Sequence, residues 1–327
     1  MCDGEEEGDN TYMKILIYGA GVIGCELAHM LIKAGNEVTL LARGEWKKIL
    51  EERGLVIRHA VQLYTTKDYP AVLGQLRSDD VFDLIFVVMQ YSQLPAVLPV
   101  LAVNKTKHIV FIGNNMNAAE TEAALIRNDA GRDVAFGFQG TGGRRENGKV
   151  VSVHAGVGMT IGCLHNQVEG KFRDLIRTAF SGVRYRLTWE SDMDAWLKCH
   201  AALILPIAYV CYAVDCRLPR ASKKLISDSI DATKEAFAMI KKLGYGIYPE
   251  GMDEYSQEKQ GQWFLVLRFL AKTPLGRLAA SDHCRHAVIE MQLLDESFEK
   301  LRKQSGTDMP AWDRLRAAGY PHEIDAE

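Results

Sequence analysis

The chain has 327 residues, of which 47% are hydrophobic, enough for one large or two medium domains with a sizeable core. Its 39 basic and 42 acidic residues give a net charge of -3, so there is no electrostatic footprint for nucleic acid. Seven cysteines cannot all pair and show no framework spacing, which argues for a reducing cytoplasm with mostly buried thiols.

The start, MCDGEEEGDNTY, is acidic and lacks an apolar stretch, so residues 1–12 are read as a disordered tail and no secretory signal is expected. Met13 is an alternative start. From there the stretch to Arg43 is a βαβ unit. Lys14 to Tyr18 is a short apolar run, expected as a strand buried on both faces. Gly19-Ala20-Gly21-Val22-Ile23-Gly24 matches G-x-G-x-x-G, and Leu27, Met30, Leu31 and Ala34 follow at helical spacing before Gly35. Val38 to Ala42 is the second strand. In this context Gly19 permits the tight turn, Gly21 lets backbone approach a pyrophosphate, and Gly24 lets the helix pack closely. A helix N-terminus adds free N–H groups and a positive dipole end, so dinucleotide binding is expected at Gly19, Ala20, Gly21, Val22, Ile23 and Gly24. The second strand ends in Arg43, with no acid before Glu45 to take a ribose 2′-OH. An Arg there offers a planar fork to a 2′-phosphate, which favours NADP(H).

A short charged helix is expected from Trp46 to Gly54, then small strands at Leu55–Arg58 and Val61–Tyr64. Val81 to Met89 is another apolar strand with Gln90 at its end, and a helix follows over Gln93 to Val103. His108 to Ile112 is a fifth strand, ending in Gly113-Asn114-Asn115-Met116-Asn117. Those asparagines either point amides at a bound nicotinamide or simply make the turn. Val134 to Gln139 leads into Gly140-Thr141-Gly142-Gly143-Arg144-Arg145, which is expected as a mobile loop of a long hairpin into Lys149–Val153. It lacks the Lys-Ser/Thr ending of a P-loop. Strands at Val157–Cys163 and Val183–Leu187 flank an amphipathic helix over Val168 to Phe180.

After Leu187 the pattern turns helical: Asp192 to Cys216, Ser222 to Leu243, Trp263 to Leu270 and Ser281 to Ser305. The apolar run Ala201 to Val214 contains Pro206 and is too short to span a bilayer, so it is read as a buried helix or one covered by a partner subunit. Domain bounds are expected at 13–188 and 189–327, with a substrate cleft between the two. Lys198 and Glu290 stand out on the helical side because each carries charge among apolar neighbours, although either could be a surface charge with a packed stem. His283 and His286 share a helical face, but a catalytic zinc wants three protein ligands, and no metal is expected.

With these residues on the page, the chain resembles the ketopantoate reductase family from Met13 almost to the C-terminus. The GAGVIG motif, Asn114, the Lys of Trp196-Leu197-Lys198, the Glu of Ile289-Glu290-Met291 and the Gly306-x-x-Met309-Pro310 spacing stand in family order. The resemblance implies a Rossmann-type domain followed by an all-helical domain like the C-terminal one of 6-phosphogluconate dehydrogenase. It also implies NADPH-dependent reduction of a 2-oxo acid, as in pantothenate biosynthesis. Lys198 would protonate the carbonyl oxygen, Glu290 would position substrate and lysine, and Asn114 would hold cofactor and substrate. Where the family often has Asn, four and eight residues after the lysine, this chain has Ala202 and Pro206. A common cofactor-loop Lys is replaced by Gln90, and Ser281 is the nearest match to the family's substrate-carboxylate Ser. These departures imply a substrate other than ketopantoate, another 2-oxo acid or ketone. A β-hydroxyacid dehydrogenase-like enzyme and a catalytically idle NADP(H)-binding, redox-sensing protein are the alternatives. A cytoplasmic homodimer without membrane or nucleic-acid partners completes the expectation.

Overall fold

The computed structural model describes residues 12–324 apart from 128 and 155. The expected acidic tail, 1–12, therefore lies outside the described residues except for Tyr12, which is exposed.

The first strand, β1 (Lys14–Tyr18), runs into α1 (Val22–Lys33) and returns as β2 (Glu37–Leu41), as the apolar runs around GAGVIG dictate. Around them an eight-stranded sheet has the order β12-β11-β8-β7-β6-β1-β2-β5. Its members are β5 (Ala71–Leu73), β6 (Leu84–Val88), β7 (His108–Ile112), β8 (Asp133–Phe138), β11 (Gly158–Gly162) and β12 (Arg186–Trp189). Strands β5 to β8 extend the parallel β1–β2 pair, while β11 joins β8 antiparallel. The chain leaves β1 toward β2 on one side and resumes at β6 on the other. The crevice at the carboxyl ends of β1 and β6 is therefore the switch point where such sheets bind ligands.

A second sheet, order β4-β3-β10-β9, packs against α1; it comprises β3 (Leu55–His59), β4 (Tyr64–Asp68), β9 (Thr141–Glu146) and β10 (Lys149–His154). Buried Glu26 of α1 accepts a hydrogen bond from Ser152 Oγ of β10 and stands 3.3 Å from His59 Nδ1 of β3. This polar cluster fixes α1 on the second sheet.

Two expectations on this side are corrected. Residues 60–63 form a turn, with Leu63 at φ 59, and the strand begins only at Tyr64. The Gly-rich stretch expected as a mobile loop is β9, because β10 offers it a full antiparallel edge from Thr141↔His154 to Glu146↔Lys149. Asn147 and Gly148, at φ 50 and 74, close the two-residue turn that matches strand twist.

Helices cover both faces of the main sheet. On one face lie α1, α2 (Gly44–Arg53) and α5 (Gly170–Ala179), burying Ile15, Ile17, Leu40 and Phe86. On the other lie α3 (Leu94–Val103) and α4 (Ala118–Ile126), together with the helical half of the chain. That half comprises α6 (Met193–Tyr212), α7 (Lys223–Lys242), α8 (Gln260–Leu270), a short α9 (Pro274–Gly276), α10 (Asp282–His286), α11 (Val288–Ser305) and α12 (Pro310–Ala318). Asp192 and Ser222 cap α6 and α7 through N–H groups three residues on. The helix expected over Ser281 to Ser305 is broken at Ala287, whose φ of -131 leaves the helical region. The apolar run belongs to a 20-residue α6, which by length and composition alone could cross a membrane, contrary to the shorter span read from sequence. Its apolar window is 78% buried inside the protein, as a core helix is.

Candidate active site

The turn after β1 is shaped for a dinucleotide. Gly19 has φ +124, and a Cβ on it would sit 2.1 Å from the Val88 carbonyl oxygen at the end of β6, so only glycine lets the two strand ends meet. A Cβ on Gly24 would strike the Gly19 carbonyl at 2.0 Å, which is the close helix–strand packing the third glycine allows. Beside Gly21, by contrast, nothing lies within 4 Å. The first turn of α1 has no side-chain cap and no acid. Open space over uncapped N–H groups is the cradle a pyrophosphate fills, so the residues present fit the cofactor. Arg43, at the N-cap of α2, is exposed and unencumbered by any carboxylate among the described residues.

Across the crevice stands Glu290, in the first turn of α11 and 3% exposed. Its Oε1 accepts hydrogen bonds from the Tyr91 backbone N–H and from Asn114 Nδ2, each at 3.2 Å. Its Oε2 stands 3.7 Å from His283 Nε2. Gln90 Nε2 donates to the His286 carbonyl at 3.1 Å, so the end of β6 is tied to α10 as well. Asn114 thus gives its amide to Glu290, whereas Asn115 takes the turn. Asn115 donates to Thr121 Oγ1 at 3.0 Å and accepts from the Asn117 N–H.

Lys198 is also buried, at 6% exposure, but it is not joined to Glu290 by any ion pair among the described residues. Its Nζ donates to Asp194 one helical turn earlier and lies 4.7 Å from the centre of the Tyr245 ring. Ala202 and Pro206 are buried in α6, and Ser281 is 2% exposed in a π-helical turn, Arg277–Ser281. His200, two residues beyond Lys198, stacks on Trp196 (5.1 Å) and lies tilted against Phe138 (4.0 Å). Burial pushes its imidazole down to about 3, with the nearby His283 adding to the effect, so the ring stays neutral. Asp194, Tyr245 and His200 were not singled out from the sequence, and His283 was weighed only as a metal ligand. Asp194 could have been, since an acid four residues before a lysine shares its helical face.

His283 faces Glu290 while His286 Nδ1 bonds the Asp282 carbonyl at 2.6 Å. Among the described residues no group of three or more His, Cys, Asp or Glu is arranged to hold a metal. Three thiols do meet in the helical half, where Cys284 is hydrogen-bonded to Cys211 and Cys216. The bond with Cys211, together with burial, holds Cys284 well above the usual thiol range.

A mostly parallel sheet with a glycine-lined switch point, followed by a helical half, is the architecture of a Rossmann-type dinucleotide-binding protein. Residues 15–166 match the family model described as Ketopantoate reductase PanE/ApbA. Over that span the chain matches this family, in agreement with the resemblance read from its motifs. A 2-dehydropantoate 2-reductase of Pyrococcus abyssi is 23% identical over 253 residues, 75% of this chain and 79% of that one. Among solved structures, a ketopantoate reductase family protein from Ralstonia solanacearum MolK2 superposes with TM-score 0.69 at 15% identity, covering 94% of this chain and 96% of that one. A probable 2-dehydropantoate 2-reductase from Bacillus subtilis gives 0.67 at 16% identity, with 94% and 98% covered. A D-mandelate dehydrogenase solved with NADH and anilino(oxo)acetate gives 0.69 at 14% identity, with 94% and 96% covered. At such identities the structures share the fold.

Proposed function

We propose that the protein is an NADPH-dependent reductase of a 2-oxo acid or related ketone, of the 2-dehydropantoate 2-reductase type, working in the cytoplasm. Glu290 carries the proposal. It is a buried carboxylate delivered from the helical half to the carboxyl ends of β6 and β7, and an Asn114 amide and a backbone N–H take one of its oxygens. A carboxylate buried so deeply, with no lysine or arginine paired to it among the described residues, is costly, and such groups cluster at functional sites.

The turn Gly19–Gly24, with Ala20, Val22 and Ile23, holds the pyrophosphate of the cofactor, and Arg43 holds the 2′-phosphate. Gln90 and Asn114 lie toward the nicotinamide end. When bound, the reduced cofactor supplies a hydride to the carbonyl carbon. Asn114 fixes one oxygen of Glu290 and leaves the other to orient the substrate. Lys198 is the proton donor: its ammonium stabilises negative charge on the carbonyl oxygen and then transfers a proton to it. Asp194 and Tyr245 keep that ammonium desolvated yet paired until the substrate arrives. Ser281, at the end of the π-helical turn, marks the substrate-carboxylate side. With Ala202 and Pro206 where the family often places Asn, a hydroxyl on the substrate finds no amide partner. Ketopantoate itself should then be a poor substrate.

The test is NADPH oxidation by the purified protein against a panel of 2-oxo acids and ketones with graded side chains. Turnover of ketopantoate at about 10⁴ M⁻¹s⁻¹ or better would contradict the substrate assignment, and no turnover of any panel member would leave an idle nucleotide-binding protein. One observation favours a second reading, NADH-dependent reduction of a bulkier oxo acid. It is the shared fold with a D-mandelate dehydrogenase that holds NADH beside an anilino-substituted oxo acid. We assign the dimer partner, a second copy of the chain, to α8. That helix has no buried residue and exposes Leu265, Val266 and Phe269. Sedimentation of Phe269→Asp as a monomer, against a dimeric wild type, is the expected result.

A further inference from the structure

Strand β9 stands at the cofactor end of the second sheet. Read along α1 from its phosphate-facing end, Cys25 comes first, with the buried Trp46 indole N–H beside its thiol and Arg145 within electrostatic range. Glu26 follows and meets Ser152 of β10; His29 comes last, 2.8 Å from Asp68 at the end of β4. The order β9, β10, β4 along the helix puts β9 over its N-terminal end. The hairpin also runs alongside α2. Its Gly148 lies against Arg53 and Ile49 in the last turns of α2, whereas Arg145 reaches the first turn, where its Cζ stands 5.2 Å from the centre of the Trp46 ring. Trp46 lies three residues beyond Arg43.

The two arginines of β9 are used differently. Arg144 is committed to Glu146 at 2.8 Å and to Asp282 of α10 at 3.0 Å. Arg145 is exposed and forms no ion pair among the described residues, and its guanidinium is held over the indole. A guanidinium already ordered on an aromatic face loses little freedom on binding an oxyanion, and its planar fork suits phosphate.

We infer that Arg145 is a second cation for the 2′-phosphate of NADPH, opposite Arg43, and that the β9–β10 hairpin therefore sets cofactor specificity. The inference rests on the NADP(H) reading above. NADH carries a hydroxyl at that position and gains nothing from the second cation. Sequence reading left Arg145 in a Gly-rich loop with no role.

The test is isothermal titration of NADPH and of NADH into the full-length wild type, Arg145→Ala, Arg145→Lys and Arg144→Ala, with circular dichroism confirming the fold of each. Arg145→Ala should weaken NADPH about tenfold and leave NADH within about twofold, the scale of one charge-assisted contact. Arg145→Lys should fall between, since a point charge replaces the fork, and Arg144→Ala should keep the wild-type ratio. A wild type that prefers NADPH, with the same ratio in Arg145→Ala, overturns the inference and leaves the NADP(H) reading standing. Equal weakening of both cofactors also overturns it, because Arg145 then only holds the hairpin. Equal affinities in the wild type overturn both.

Discussion

Lys198 is paired with Asp194 one turn away on α6, and Glu290 accepts a hydrogen bond from Asn114. If Lys198 gives the proton, Lys198→Ala should lower kcat by about 10²-fold or more, the usual scale for losing a general acid, with cofactor affinity unchanged. Glu290→Ala should act partly through KM, since orienting a substrate serves ground and transition states alike, and the double variant should fall short of the summed losses. Steady-state kinetics with a substrate from the panel checks this, and wild-type rates in Lys198→Ala would remove the mechanism. His200 makes a separate prediction about pH. Its ring, pushed down to about 3 by burial, stays neutral in the folded state while the unfolded ring takes up a proton near pH 6.5. Below that value the unfolded state binds more protons, so stability is full above pH 6.5 and is lost as pH falls toward 3. The loss at pH 5 should be about 2 kcal/mol, and it should shrink in His200→Gln by urea denaturation at pH 7 and 5. How far these residues were legible follows from what a side chain can announce. Asn114 shows itself as an amide at a strand end, and Glu290 as an acid among apolar neighbours. The Tyr91 N–H that shares Glu290 could not be read, because every residue but proline carries one.

At the level of elements, the Gly-rich hairpin shows where pattern fails. Thr141-Gly142-Gly143-Arg144-Arg145 has no apolar alternation, so nothing in it announces a strand; its partner β10, with Val150, Val151 and Val153 buried, does. Glycine is needed here for a reason only the third dimension reveals. A Cβ on Gly142 would meet the Leu278 carbonyl oxygen at 2.9 Å and Ala279 Cα at 3.0 Å in the π-helical turn. Gly142→Val should therefore force β9 and that turn apart, costing about 1–3 kcal/mol by overpacking. A lower urea midpoint at unchanged slope would confirm it, and a wild-type midpoint would refute it. The long periodic helices were legible because caps and stripes agree, as at Ser222 and Gly244 around α7. The break at Ala287 was not, since no proline or glycine marks it.

On the scale of the whole molecule, one core joins the two halves. Leu16, Tyr18, Ile85 and Phe111 of the sheet belong to the same buried cluster as Leu205, Tyr209, Phe298 and Trp312 of the helices. Tryptophan fluorescence and far-ultraviolet circular dichroism should then report coincident unfolding, and residues 12–189 expressed alone should lack a cooperative transition, because their second face stays bare. Separate transitions would mean that the shared cluster contributes little. The same enclosure makes the molecule its own stopwatch. Cys25, Cys199, Cys211, Cys216 and Cys284 are all buried, and burial, with the Glu26 charge adding to it, pushes Cys25 up to about 12. With Cys2 and Cys163 replaced by Ser, an alkylating reagent in native buffer can reach a thiol only when the chain opens. The pace of labelling then counts openings, site by site, with no denaturant present. If Cys284, wedged between two other thiols, is modified at the same rate as Cys25 on the far side of the sheet, the chain opens as a unit. If it is modified sooner, the helical half breathes first.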